Sequence, residues 1–431
     1  MPISLPRALT PLRQPRFRLL MAGQITSNVG DACYEVALPW YVLATHGGVV
    51  LLGAVLAAYG IPRTVLIAVG GYASDRWRPH TVMLATDITR AVALAGLALA
   101  ATAGPARAAV LIPLAILIGA GEGLFLPASF SIVPSLLTGD DLLAGNALSA
   151  SSTQLATIVG PALGGALVAV GGTEFAFALD AATFAVSALT LWRLSTRPAT
   201  NPAPAALAPP TGAGTSTPAP TLRTLLRTER VLSIMLLVSV AANLGAGGLD
   251  VALPALVHGP LRAGATGYGV ILAAFGGGAL LGTLMVGQLR HPRRPMVAGA
   301  VAFLAMALCI ALTPYGGSVA GVAAVTAGFG ITNGFGNVLT TTAFQRWAPP
   351  GTLGRLSGLR LLTSFGLFPL SVAFGAIIVR DFGPAPFFLF TAAILAAAIL
   401  VGLTQRAYRD LGAAQQGAPV RLAGQLPQPE G

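Results

Sequence analysis

The chain contains no lysine; all 25 of its basic residues are arginine. That absence removes whole chemistries. A Walker A loop grips nucleotide phosphates with its lysine, so the chain cannot bind ATP in that way. A Schiff-base lysine for pyridoxal phosphate is equally impossible. Charge of any kind is scarce, at 9% of 431 residues against 55% apolar, with a mean hydropathy of +0.77. A water-exposed surface takes roughly a quarter of its residues from Asp, Glu, Lys and Arg; lipid must cover this one instead. Cysteine is nearly absent too: Cys33 and Cys309 fall inside apolar stretches and read as small core residues, not as a disulfide framework. The four histidines match no metal-ligand spacing, and no Gly-x-Ser-x-Gly elbow occurs. The expectation is a non-enzyme without cofactor or metal.

What the chain has is apolar runs separated by short polar breaks. Crossing a hydrocarbon core of about 30 Å takes about 20 apolar residues in a helix. Spans are predicted at 17–43, 49–73, 80–103, 108–137, 143–170, 174–194, 230–257, 267–290, 295–314, 319–347, 353–380 and 384–405. Arginine placement orients them. With the N-terminus cytoplasmic, nineteen arginines fall on the inside and only Arg107, Arg262 and Arg380 outside, with Arg63, Arg90 and Arg360 within spans. Both termini are thus expected in the cytoplasm, and the net charge of +11 becomes a topology signal instead of a mark of nucleic-acid binding. The first apolar run carries Asp31 and Glu35 and no cleavage site of a signal peptide. Residues 195–229, rich in Pro, Ala and Thr, read as a cytoplasmic linker between two six-helix units, 1–194 and 230–405, and 406–431 as a cytoplasmic tail.

The two units repeat. Val36-Ala37-Leu38-Pro39 recurs as Val251-Ala252-Leu253-Pro254, an offset of 215 that also aligns Asn28 with Asn243, Gly30 with Gly245 and Glu35 with Asp250. Leu148, Ser149 and Pro161 match Leu356, Ser357 and Pro369 at 208, and Gly71 and Gly287 each precede a basic loop. Parallel six-span repeats are a transporter architecture with the site between them.

These residues resemble the major facilitator superfamily, and within it the macrolide-efflux and enterobactin-exporter-like branch. Gly71-Tyr72-Ala73-Ser74-Asp75-Arg76 is similar to the family's cytoplasmic signature after span 2, with the later glycine and basic pair replaced by Arg78, Pro79 and His80. Gly160-Pro161-Ala162-Leu163-Gly164-Gly165 resembles the core of the exporter motif, with Ala156 where its leading glycine is expected. Ser27-Asn28-Val29-Gly30-Asp31 with Ala37-Leu38-Pro39-Trp40, and Gly121-Glu122-Gly123-Leu124-Phe125, resemble that branch's spans 1 and 4. The resemblance implies an all-α membrane fold of about twelve helices in two pseudo-symmetric bundles. It further implies a monomer in the bacterial cytoplasmic membrane, and a gate in which Asp75, with Gly71 and Arg76, faces the start of span 11 near Gly354 to Ser357.

Ionisable groups within spans are costly and are functional candidates by default. Asp31 and Glu35 lie four apart, on one face of helix 1. Two carboxylates that close cannot both ionise comfortably in low dielectric, so the pair can load and release a proton near neutral pH. The plainer alternative is that one pairs with Arg63. Glu122, between two glycines, is a second proton site or a structural bond to span 1 or 2. Asp250, Asn28, Tyr34, Arg63, Gln154, Asn243 and Asn333 are candidates for the substrate cavity. Asp87 and Arg90, three apart, are expected to pair with each other or with the cytoplasmic loop, as structural or gating residues. Gly160, Pro161, Gly164 and Gly165 are expected to permit tight packing and bending where the halves meet. Lacking an ATP site, the chain is expected to use a gradient. The first expectation is proton antiport that exports an amphipathic small molecule: a drug, secondary metabolite or siderophore. The alternatives are a uniporter or importer of a nutrient, or a non-transporting sensor on the same scaffold.

Overall fold

The computed structural model describes residues 7–137, 139–196, 230–288, 292–347, 363 and 366–411. Among them every regular element is helical, as it must be where no water can satisfy an exposed peptide group. After a 3-10 turn, Arg7–Arg13, come α1 (Pro15–Ala44), α2 (Gly48–Arg76), α3 (Pro79–Thr102) and α4 (Ala108–Leu136). One continuous run, Gly139–Thr196, follows and breaks at Gly172, whose φ of 77° is open to glycine at little cost. The break separates α5 from α6. Then come α7 (Arg230–His258), α8 (Ala265–Gln288), α9 (Pro295–Leu312), α10 (Val319–Trp347), α11 (Phe368–Phe382) and α12 (Pro384–Thr404), with a final turn at Arg406–Arg409. Proline opens α1, α3, α9 and α12, where its missing N–H costs nothing and its fixed φ suits the first turn.

Nine helical runs among the described residues are long and apolar enough to cross a membrane, one of them the doubled α5–α6 run. α1 and α11 fall outside that set: α1 carries Gln24, Asn28, Asp31 and Glu35 along a cavity, and α11 is described over 15 residues only. The architecture is the about-twelve-helix membrane bundle that the sequence implies. Apolar side chains such as Val92, Leu99, Leu308 and Val401 point outward, where lipid covers them.

The internal repeat is visible as repeated contacts. Gly119 and Gly123 of α4 lie against the backbone of Tyr59 and Arg63 in α2; Gly330 and Gly334 of α10 lie in the same way against Phe275 and Ala279 of α8. Gly30 of α1 abuts Thr183 of α6, and Gly245 of α7 abuts Thr391 of α12. A side chain at any of these glycines would collide with the neighbouring helix, so each fixes how closely two helices approach.

Among the described residues, contacts between the two sets of helices gather on one side. Pro161 and Gly165 of α5 meet Ala265, Thr266 and Gly269 of α8. Gly53 and Gly60 of α2 meet Ala376 and Phe368 around α11. Val36, Val257, Tyr268 and Ile271 share a cluster, and the rings of Trp40 and His258 lie 5.3 Å apart. Apart from Phe368, which begins α11, these residues lie in the halves of their helices nearer the 45–47, 172, 259–264 and 383 connections. That side is closed.

This placement corrects one expectation. Of the four exporter-motif residues, only Pro161 and Gly165 sit where the two sets of helices meet. Gly160 and Gly164 face Ala32 and Cys33 of α1, because residues four apart share a helix face and the 160/164 face turns inward. The Cys33 thiol donates to the Gly160 carbonyl at 3.6 Å.

Candidate functional site

A cavity of about 940 Å³ opens between the two sets of helices. It is lined from α1, α2, α3, α4 and α5 on one side and by Asp250, Tyr268, Leu272 and Phe368 on the other. Four carboxylates reach it, Asp31, Glu35, Glu122 and Asp250, together with two guanidinium groups, Arg63 and Arg90. Of the other predicted cavity residues, Asn28 and Tyr34 line it, and Asn28 donates to the Thr153 hydroxyl at 3.4 Å. Gln154 is not among its lining residues, and Asn243 and Asn333 line a different cavity.

Glycines build the charged side. Gly121 and Gly123 flank Glu122 on α4. A Cβ at Gly121 would stand 2.7 Å from Cγ of Arg90, and one at Gly123 would stand 2.6 Å from the Arg63 carbonyl oxygen. Without those side chains, α3 and α2 can bring their arginines to α4. Arg63 Nη2 lies 2.7 Å from Glu122 Oε1, and the Tyr59 hydroxyl donates to Oε2 of the same carboxylate. Arg63 thus pairs with Glu122, where the sequence pointed to Asp31 or Glu35.

Arg90 pairs with neither Asp87 nor a loop. Its Nη2 lies 2.5 Å from Asp31 Oδ1 on α1, and its guanidinium sits 3.9 Å from the centre of the Phe184 ring, with Phe125 at 5.8 Å. Arg90 is 2% exposed, so this is a buried charge that is both paired and stacked. Asp87 instead accepts from the Ser187 hydroxyl of α6 at 2.6 Å, and its Oδ1 has no partner among the described residues. Asp180 of α6 belongs to the same group and has no counterpart in the sequence reading. It is 1% exposed and accepts from Thr183 at 3.2 Å, and its Oδ2 has no partner among the described residues. The signal that would have found it is the one that found the others: an acidic residue inside an apolar span.

The remaining two carboxylates differ. Glu35 and Asp250, equivalent positions of the repeat, are exposed to the cavity and lie within electrostatic reach of each other across it. Neither makes a hydrogen bond or ion pair among the described residues. The lining therefore holds two ion-paired carboxylates, Asp31 and Glu122, and two, Glu35 and Asp250, with no ion pair among the described residues.

Gly71, Asp75 and Arg76 end α2 as helix, but their side chains, and the expected partners Gly354 to Ser357, lie outside the described residues.

Comparison with known proteins agrees with the fold. Residues 6–409 match the family described as transmembrane secretion effector. The enterobactin exporter EntS of Shigella boydii serotype 4 is 29% identical over 360 residues, 80% of each chain. That of Salmonella typhimurium is 29% identical over 359 residues, 80% of this chain and 81% of its own. Two solved structures share the fold: the nucleoside transporter NupG (TM-score 0.67, 15% identity, 91% of this chain and 100% of that one), and a bacterial homologue of the iron transporter ferroportin in its inward-facing state (TM-score 0.67, 17% identity, 90% and 98%). The chain belongs to the transmembrane secretion effector family of the major facilitator superfamily, and it is a multi-pass membrane transporter, not an enzyme.

Proposed function

We propose that this chain exports an amphipathic small molecule across the bacterial cytoplasmic membrane in exchange for protons, by alternating access and as a monomer. The observation that carries the reading is the pair Glu35 and Asp250, facing one cavity from the two repeats, neither held in a hydrogen bond or ion pair among the described residues. A cation and a proton compete for such carboxylates, since either relieves the charge in low dielectric and both together are redundant. Protons arriving from outside would displace the substrate outward, and loss of those protons to the cytoplasm would restore the empty site. Asp31 and Glu122, the other coupling candidates, are held by Arg90 and Arg63, and would respond through those pairs when the helices move.

The arginine bias puts the closed side away from the cytoplasm, the placement expected of an inward-facing conformation. Rocking about the α5–α8 and α2–α11 contacts would open the other side, with Gly71, Asp75 and Arg76 forming the inner gate. Export, and not import, is supported by the relatives' printed names. The surplus of carboxylates over arginines in the lining favours a cationic or neutral cargo over an anionic one.

Inverted membrane vesicles test this. Vesicles carrying the chain should accumulate ethidium when their lumen is acidified and lose it when nigericin collapses the pH gradient. Dye flux indifferent to nigericin would replace antiport with uniport.

A further inference from the structure

A second cavity, of about 380 Å³, lies among α7, α9, α10 and α12 and shares no lining residue with the central one. We infer that it is a separate binding site, for a neutral amphipathic molecule with an aromatic or aliphatic body and an amide-like polar group.

Its position comes from the repeat. The contacts that align the two sets of helices pair Tyr59 with Phe275, Arg63 with Ala279 and Thr183 with Thr391. α3 and α9 both begin on proline, Pro79 and Pro295, which carries the same offset onto these helices. Arg90 then falls on Met306, Asp87 on Phe303, Asp31 on Ala246, Glu122 on Asn333 and Asp180 on Phe388. Four of these equivalents, Ala246, Phe303, Met306 and Asn333, line the second cavity. Where one repeat fills this place with a stacked, ion-paired arginine, the other has lost every charge and kept a space.

The lining fits a neutral guest. It contains no Asp, Glu, Lys, Arg or His among the described residues, and a bare ion would find no counter-charge there. Three methionines, Met235, Met296 and Met306, give it an adaptable apolar wall. Tyr408, beyond the end of α12, closes one end; burial pushes its phenol up to about 12, so it stays uncharged.

Polar atoms wait for a partner. Thr391 lines the cavity, and its buried hydroxyl has no hydrogen-bond partner among the described residues. In the other repeat the equivalent Thr183 donates to Asp180, whose place here is taken by Phe388. Asn333 gives its amide N–H to the thioether of Met306 at 3.5 Å, a weak acceptor that a carbonyl or sulfonyl oxygen would replace at a gain.

The inference does not depend on proton coupling. Its probe is dansylamide, a neutral aryl sulfonamide whose fluorescence rises on leaving water, titrated into the purified full chain in detergent. Saturable binding should be unchanged in Glu35→Gln/Asp250→Asn and at least ten-fold weaker in Ala242→Trp, which fills the cavity. Asn333→Leu, which removes the amide at nearly constant volume, should weaken it similarly without lowering the melting temperature. Absence of saturable binding to the unaltered chain would overturn the inference. So would binding lost in the Glu35/Asp250 variant and kept in both cavity variants, which would place the probe centrally.

Discussion

Arg90 is held from three helices: by Asp31 of α1, by the Phe184 ring of α6 and by Phe125 of α4. Arg90→Ala would leave Asp31 without its cation and remove the stacked guanidinium from beside the buried Asp87, a net loss of stability. A melting temperature several degrees lower in detergent is expected, with a smaller fall for Arg90→Lys, which keeps the charge and loses the flat stacking surface. An unchanged melt for Arg90→Ala would show that the pair is not structural. At this scale the sequence was half legible. The cost of a charge in an apolar span marks Asp31, Glu35, Glu122 and Arg90 without any structure. The partners were not legible: spacing along one helix suggested Asp87 with Arg90, whereas helix rotation points Arg90 at α1 and Asp87 at Ser187 of α6. Asp180 carried the same signal but no motif or repeat, and went unread.

The α5–α8 contact is where an element-level change should separate movement from folding. A Cβ on Gly165 would stand 2.7 Å from the Ala265 carbonyl oxygen and 3.2 Å from Gly269 Cα. Gly165→Val should wedge the closed side apart and cut transport at least ten-fold while the chain still purifies as a single species. Gly277→Ala, where an added Cβ meets nothing within 4 Å, should transport normally. Equal transport in both variants would mean the contact does not govern closure. The helices themselves were largely legible, because apolar length and proline at the first turn are local signals. The sequence leaves 171–173 between two predicted spans, and the break there is a single glycine, Gly172, at φ 77°, since one such residue suffices to reverse the run. The sense of the exporter-motif glycines was not legible, since which face turns to α1 and which to α8 depends on tertiary packing.

For the molecule as a whole, the repeat was the most informative feature of the sequence. It joined Glu35 to Asp250 before any coordinates, and the structure puts both on one cavity. It did not reveal that the charged cluster of one repeat is replaced by a neutral cavity in the other, because the substitutions Arg90/Met306 and Glu122/Asn333 read as ordinary apolar drift until contacts fix the alignment. Orientation rests on arginine alone and can be checked directly. In a chain with Cys33 and Cys309 replaced by serine, Ala103→Cys and Ser318→Cys should react with a membrane-impermeant maleimide added outside intact cells, and Ala213→Cys should not. The reverse pattern would invert the topology and turn the open cavity outward.

The central claim is that Glu35 and Asp250 couple cargo to protons, and proteoliposomes under an imposed pH gradient measure it. The unaltered chain should drive ethidium against its gradient. Glu35→Gln/Asp250→Asn should lose gradient-driven transport at least ten-fold while still letting dye equilibrate. Gradient-driven transport at the unaltered rate in the double variant would contradict the account and move the coupling site to the Asp31–Arg90 and Glu122–Arg63 pairs.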